Sequence, residues 1–134
     1  MKARWLGRWL EEIPPVALTS VPERLLHGDV QATNVMVRPA LLEYQALIDW
    51  GGSGWGDPAH DLAGFPFRAV PWVLAGYREV APDEDETMEA RIPWRHLQLA
   101  LFNLQRPAQP GRSWAERPAG MLLEFLRFFS GRSR

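Results

Sequence analysis

The chain has 134 residues, of which 46% are hydrophobic, and this size allows one domain with one hydrophobic core. Its net charge of -1 argues against a nucleic-acid partner, because binding to phosphates calls for a basic excess. It has no cysteine, which excludes disulfides and thiolate metal sites, and no apolar run approaches the roughly 20 residues of a membrane span. We therefore expect a single domain over residues 1–134, a cytoplasmic location and no membrane partner.

The first half of the chain predicts one helix followed by a β-hairpin. Apolar residues at helical spacing predict a helix over 2–13, which Pro14 and Pro15 end. An extended connector is expected up to about Arg24. Two β-rich runs, 34–38 and 44–50, flank a short turn region and predict the hairpin.

The second half predicts a glycine-rich turn and then helices. Glycines at 51, 52, 54 and 56 indicate a mobile turn, after which Asp57 is expected to cap a helix that starts with Pro58. Helical patterns cover about 58–65, 71–80, 86–105 and 115–129. Pro93 predicts a kink or a break in the third. The seven tryptophans fall mostly at apolar helical positions and are expected in the core.

Three short blocks carry the residues that indicate a chemistry. They read HGDVQATN over 27–34, LIDW over 47–50 and GDPAHDLA over 56–63. Phosphoryl transfer needs a carboxylate to accept a hydroxyl proton, and an amide plus a carboxylate to hold a metal on the phosphates. Asp29 is the candidate catalytic base, and Asn34 and Asp49 are the candidate oxygen ligands. Each residue alone would fit an ordinary turn or strand end, but the three together favour the functional interpretation.

The blocks resemble the aminoglycoside phosphotransferase and choline kinase-like family, whose pattern runs HGDxxxxN, then IDW or IDF, then GDPxxDLA. The resemblance covers Leu26 to Ala63. It implies an α+β, protein-kinase-like fold in which the helical C-terminal lobe carries the catalytic loop on a small β-hairpin. It also implies an ATP-dependent kinase that phosphorylates the hydroxyl of a small-molecule substrate, with Mg²⁺ and ATP as cofactors in the complete enzyme.

The same resemblance gives roles to the residues of the three blocks. Asp29 corresponds to the catalytic base, and Asn34 and Asp49 correspond to the residues that bind the metal and the nucleotide. His27 and Asp61 correspond to supports of the catalytic loop. We expect the buried His27 imidazole to donate to a carboxylate and thereby hold the loop rigid.

The N-terminal lobe of such a kinase is expected to be absent. Kinases of this type hold the ATP phosphates with a strand lysine, whereas the single lysine here is Lys2 and only 26 residues precede His27. We expect the chain alone to be inactive, to bind ATP with millimolar or weaker affinity, and to self-associate through the face left by the missing lobe.

The sequence is also compatible with two other functions. One is a non-enzymatic remnant that dimerises or binds a partner. The other is a metal-dependent phosphoesterase, which would use as ligands His27, Asp29, Asp49, Asp57, His60 and Asp61. The substrate is also open, although the basic C-terminal end argues against a polycationic aminoglycoside.

Overall fold

The computed structural model describes residues 16–82, 85–107, 110–111 and 117–131. The helix expected over 2–13 lies outside these ranges. The described elements are four short strands and four α-helices: β1 (Arg24–Leu26), β2 (Val35–Arg38), β3 (Glu43–Leu47), β4 (Gly54–Gly56), α1 (Ala59–Leu62), α2 (Val70–Val80), α3 (Met88–Leu104) and α4 (Pro118–Gly131). This mixture of helices and small sheets confirms the α+β class.

The strands form two separate antiparallel pairs. Strands β2 and β3 pair from Val35 opposite Leu47 to Arg38 opposite Glu43, which confirms the predicted hairpin. Strands β1 and β4 form the second pair, with Leu25 opposite Trp55. The sequence prediction missed this pair, because three-residue strands beside glycines leave no period to recognise. Residues 54–56, expected in a mobile turn, are therefore tied to the chain segment that precedes His27.

The helices follow the predicted order with different ends. Helix α1 has only four residues, because the chain turns at Gly64, where a Cβ atom would lie 1.9 Å from the carbonyl oxygen of Val30. Helix α3 runs without interruption through Pro93, so the predicted break is absent. Since Pro93 lacks one backbone N–H, the helix loses one hydrogen bond there. Ile92 and Leu97, on either side of Pro93, are both buried, and this burial favours continuation of the helix.

The hydrophobic core lies among the helices, in two clusters. The first is formed by residues of α1, α2 and α3: Ala59, Leu62, Val70, Leu74, Met88 and Ile92. The second joins Phe67, Leu97 of α3 and Phe125 of α4. No helix in the described ranges is long and apolar enough to cross a membrane.

Of the four tryptophans within the described ranges, three do not follow the prediction of a core position, whereas Trp94 packs against the second core cluster. The side chains of Trp50, Trp55 and Trp72 are 49%, 71% and 75% exposed. The first two belong to the glycine-rich region and the β1–β4 pair, which is too small to bury a ring on both faces. Apolar spacing alone therefore overestimated their burial.

A buried ion pair fastens α3 to the start of α1. The Arg91 side chain is only 1% exposed, and its Nε and Nη2 donate to the Asp57 carboxylate at 3.1 and 3.2 Å. Its Nη1 donates to Asp85 at 2.5 Å and also to the Thr87 hydroxyl. Burial lowers the pKa of Arg91, but the hydrogen bonds and charges of Asp57 and Asp85 outweigh burial and raise it overall.

Candidate active site

The loop that carries Asp29 begins directly after β1, and its shape depends on glycine. Gly28 has φ +83°, and a Cβ atom on it would lie 2.0 Å from the carbonyl oxygen of Gly52. Only glycine fits both the left-handed backbone and this close approach. The loop therefore packs against the turn that follows Asp49, and Asp29 is left on the exposed side.

The Asp29 carboxylate is oriented by two side-chain amides. Gln31 Nε2 donates to Asp29 Oδ2 at 2.9 Å, and Asn34 Nδ2 donates to the same oxygen at 3.2 Å. Asn34 Nδ2 also donates to the Asp29 backbone carbonyl at 2.9 Å. These bonds hold Oδ2 and leave Oδ1 as the oxygen that can accept a proton. The contribution of Gln31 was missed, although it lies inside the first block.

His27 is 2% exposed and holds the loop by contacts different from those predicted. Its Nδ1 accepts the backbone N–H of Asp29 at 3.2 Å, so Nε2 carries the proton and donates to the Ile48 carbonyl at 2.8 Å. The expectation of an imidazole donating to a carboxylate is wrong. The ring links the Asp29 loop to the residue before Asp49 and lies edge-on to Trp50, with centroids 4.7 Å apart.

The Asp61 carboxylate binds the backbone of the same loop. Its Oδ2 accepts the N–H of His27 at 2.7 Å, and its Oδ1 accepts the N–H of Gly28 at 2.9 Å. Both bonds are charge-assisted, and they connect α1 to the residues immediately before Asp29. These contacts are those of a residue that positions a loop.

Asp49 lies at the same end of the hairpin as Asn34. Val35 pairs with Leu47, and the N–H of Ile48 donates to the Asn34 carbonyl at 2.9 Å, so Asp49 follows one residue later. Asp49 is exposed and has φ 64° and ψ 61°, an uncommon backbone for a residue with a side chain. Backbone strain of this kind is concentrated at functional sites.

Asn34 and Asp49 offer the kind of atoms that Mg²⁺ prefers. Because Asn34 Nδ2 is committed to Asp29, the amide oxygen is the atom left for a metal. Asp49 supplies a carboxylate on a turn that is open to solvent. One amide oxygen and one carboxylate suit a magnesium ion that takes its remaining ligands from water and phosphates, so the donor set fits.

The six ligands of the phosphoesterase alternative are not assembled around one point. The Asp57 carboxylate accepts the Ala59 N–H at 2.9 Å, as expected of a helix cap, and also binds Arg91. The Asp61 carboxylate binds the loop backbone, and His60 is exposed. Across the described ranges, no group of three His, Cys, Asp or Glu side chains is placed to hold a metal ion.

A cavity of about 870 Å³ opens beside Asp29. Its walls come from the Asp29 loop, the turn after α1, the second half of α3 and the start of α4. This volume is typical of small-molecule sites. The sequence prediction missed the walls from α3 and α4, because their residues lie far from the three blocks along the chain.

A buried histidine lies next to this region. His96 of α3 is fully buried, and its ring donates from Nδ1 to the Ala63 carbonyl at 3.0 Å. Within the described residues its Nε2 has no hydrogen-bond partner. Burial lowers the pKa of His96 to about 4, and the bond to Ala63 offsets only part of this effect. The ring is therefore neutral at pH 7.

Comparison with known proteins identifies the family. A solved structure similar to the chain is the apo form of a thermostable mutant of aminoglycoside phosphotransferase APH(4)-Ia, with 18% identity and a TM-score of 0.45. The match covers 93% of this chain and 45% of that one, so the chain spans less than half of that protein's length. No curated protein matches the chain. The sequence model of the Phosphotransferase enzyme family matches residues 1–91, and the chain belongs to this family.

Proposed function

We propose that this chain forms the phosphoryl-transfer centre of an ATP-dependent phosphotransferase that phosphorylates a hydroxyl group of a small molecule. The observation that carries the proposal is the placement of Asp29. It lines a cavity of small-molecule size, while two amides hold one of its carboxylate oxygens. The other oxygen is the proton acceptor, and membership of the phosphotransferase family supplies the reaction class.

The residues of the chain act by positioning a hydroxyl. The substrate O–H donates to Asp29 Oδ1, and its proton passes there as the hydroxyl oxygen forms a bond to the γ-phosphorus and the bond to the ADP oxygen breaks. Because the transition state is loose, correct placement of Asp29 contributes more than its basicity. His27 and Asp61 are positioning residues, since both fix the backbone on either side of Gly28.

Asn34 and Asp49 are the residues that would hold Mg²⁺ with the nucleotide. When bound, the ion neutralises charge on the phosphates. Asn34 has a double role in this proposal, because its Nδ2 orients Asp29 while its oxygen is available for the metal. Because the sequence contains a single lysine, Lys2, instead of a lysine within the three blocks or the described strands, we propose that the chain alone is inactive.

The test is substitution of Asp29 in a protein that contains this chain and transfers phosphate. Asp29→Asn keeps the shape of the side chain and removes its ability to accept a proton. We expect kcat to fall 10²–10⁴-fold with little change in KM for ATP, measured as ADP formed from Mg·ATP with a panel of hydroxyl compounds. Glu79→Gln, which removes one exposed charge from α2, is the control. A raised KM with turnover retained would contradict the assignment.

The alternative function is self-association without catalysis, and one observation favours it. The β1–β4 pair exposes apolar side chains, with Leu25 60% and Trp55 71% exposed. A second copy of the chain could cover this surface. Light scattering distinguishes the two functions: a dimer that Trp55→Ser disrupts, in a protein without phosphate transfer, would favour the alternative.

A further inference from the structure

The cavity beside Asp29 is lined by more basic than acidic side chains. Its described lining contains three guanidinium groups, from Arg95, Arg106 and Arg117, and the imidazole of His60. The only carboxylate among the described lining residues is Asp29 itself. A substrate with several ammonium groups would face repulsion from the three guanidinium groups, with one acidic partner among the described lining residues to offset it.

Two of these arginines, Arg95 and Arg106, have no acidic partner among the residues that the structure describes. Arg95 is half-buried on α3; its Nη1 donates to Gln98 at 3.2 Å, and its Nε is buried without a hydrogen-bond partner among the described residues. Arg106 lies over the ring of Phe102, with its central carbon 4.6 Å from the ring centroid. By contrast, the guanidinium groups of several other arginines contact carboxylates: Arg38, Arg68, Arg78 and Arg91.

A half-buried guanidinium with an unused N–H is costly unless something binds it. Burial of an unpaired donor is destabilising, and more so for a charged group. Carboxylates and phosphates match the planar fork of arginine with two parallel hydrogen bonds. Leu99, Phe102 and Met121 add apolar surface to the same cavity.

We propose that this cavity binds a hydroxylated small molecule that carries an anionic group, a carboxylate or a phosphate. The anion is bound by Arg95 and Arg106, and a hydroxyl on the same molecule lies at Asp29. The proposal rests on the proposed function for the role of Asp29, but anion binding by the arginines does not require phosphoryl transfer. It assigns the substrate class from the cavity's charge.

The test compares ligands with one sugar skeleton and different charges. Glucose 6-phosphate, glucuronate, glucose and glucosamine are titrated into the ¹⁵N-labelled chain without ATP or Mg²⁺, and amide shifts are recorded. We expect shifts at cavity residues with glucose 6-phosphate or glucuronate, and affinities at least 10-fold weaker for glucose and glucosamine. The two anions show whether a phosphate or a carboxylate fits better.

Substitutions of single residues distinguish anion binding in the cavity from a general effect of the protein's charge. Arg95→Gln and Arg106→Gln should each weaken anion binding at least 5-fold, whereas Arg38→Gln, on the exposed hairpin, should not. Asp29→Asn should leave anion binding intact or strengthen it, since it removes a negative charge. Glucosamine binding as tightly as the anions, no cavity shifts with either anion, or anion binding unaffected by both arginine substitutions would overturn the proposal. Anion binding in the cavity without phosphate transfer by any protein containing the chain would instead overturn the proposed function alone.

Discussion

The neutral, buried His96 predicts that stability falls as the pH drops through the range in which free histidine becomes protonated. The folded chain holds the pKa of His96 at about 4, against 6.5 for an unperturbed side chain. Below pH 6.5 the unfolded chain therefore takes up a proton that the folded chain refuses, and this favours unfolding. The contribution of neutral His96 to the free energy of unfolding is fully present above about pH 6.5. It decreases as the pH falls and is lost near pH 4.

The size of the effect follows from the separation of the two pKa values. At about 1.4 kcal/mol per pH unit, the full loss is about 3 kcal/mol, of which about 2 kcal/mol falls between pH 7 and pH 5. Burial raises the pKa of Asp85, but the hydrogen bonds from Thr87 and Arg91 outweigh burial and lower it overall. The hydrogen bond from Arg78 lowers the pKa of Glu89 and outweighs the effect of burial. Both carboxylates therefore lose their contribution only below about pH 4.5, outside this window.

Urea unfolding followed by tryptophan fluorescence measures this loss. For an m-value of about 1–2 kcal/mol per M, the midpoint should shift down by about 1–2 M between pH 7 and pH 5. His96→Gln keeps an N–H for the Ala63 carbonyl and cannot titrate, so its midpoint should be nearly constant. His60→Gln, on the exposed side of α1, should behave like the wild type. A wild-type midpoint independent of pH, or an unchanged shift in His96→Gln, would refute the reasoning.

Two further substitutions test what holds the site in place. Gly28→Ala should destabilise the chain by about 2 kcal/mol or more, measured by urea unfolding, because the new Cβ would meet the Gly52 carbonyl and φ is +83°; a loss below about 0.5 kcal/mol would contradict the packing described. Arg91→Met should cost about 3 kcal/mol by the same assay, because it leaves two largely buried carboxylates without their cation. Arg38→Met, whose ion pair is about half exposed, should cost under about 1 kcal/mol, and equal losses in these two variants would show that burial of the pair has no effect.

The sequence predicted the elements with clear periods and the residues inside the three blocks. The hairpin β2–β3 and the helices α2 and α3 were identified because their apolar spacing extends over enough residues to be read. Asp29 and Asn34 lie within one block, five residues apart, so their contact needs little knowledge of the fold. The contacts of Asp61 with the backbone of His27 and Gly28 span 34 and 33 residues, and its role was expected only from the family resemblance. The left-handed backbone of Asp49 was not predicted, because aspartate adopts it only where the surrounding turn requires it.

What the sequence did not predict depends on packing between distant segments. The β1–β4 pair joins two three-residue segments with 27 residues between them, 27–53, and Gly56 lies opposite Arg24. The partner of His27 is a backbone carbonyl, and no side-chain pattern identifies a carbonyl partner. Likewise, the sequence gives no sign that Arg95 of α3 and Arg106, which follows α3, line the cavity beside Asp29.

The central claim is that Asp29, Asn34 and Asp49 form one site for a metal-bound nucleotide. Paramagnetic Mn²⁺ with ATP tests it directly, because amide broadening detects millimolar binding and reports position. We expect the ¹⁵N-labelled chain to lose the signals of these three residues first, only when ATP is present, and less readily in Asp49→Asn. Broadening centred elsewhere, or unchanged in Asp49→Asn, would contradict the claim. Equal broadening by Mn²⁺ without ATP would contradict it in favour of a metal site of the phosphoesterase kind.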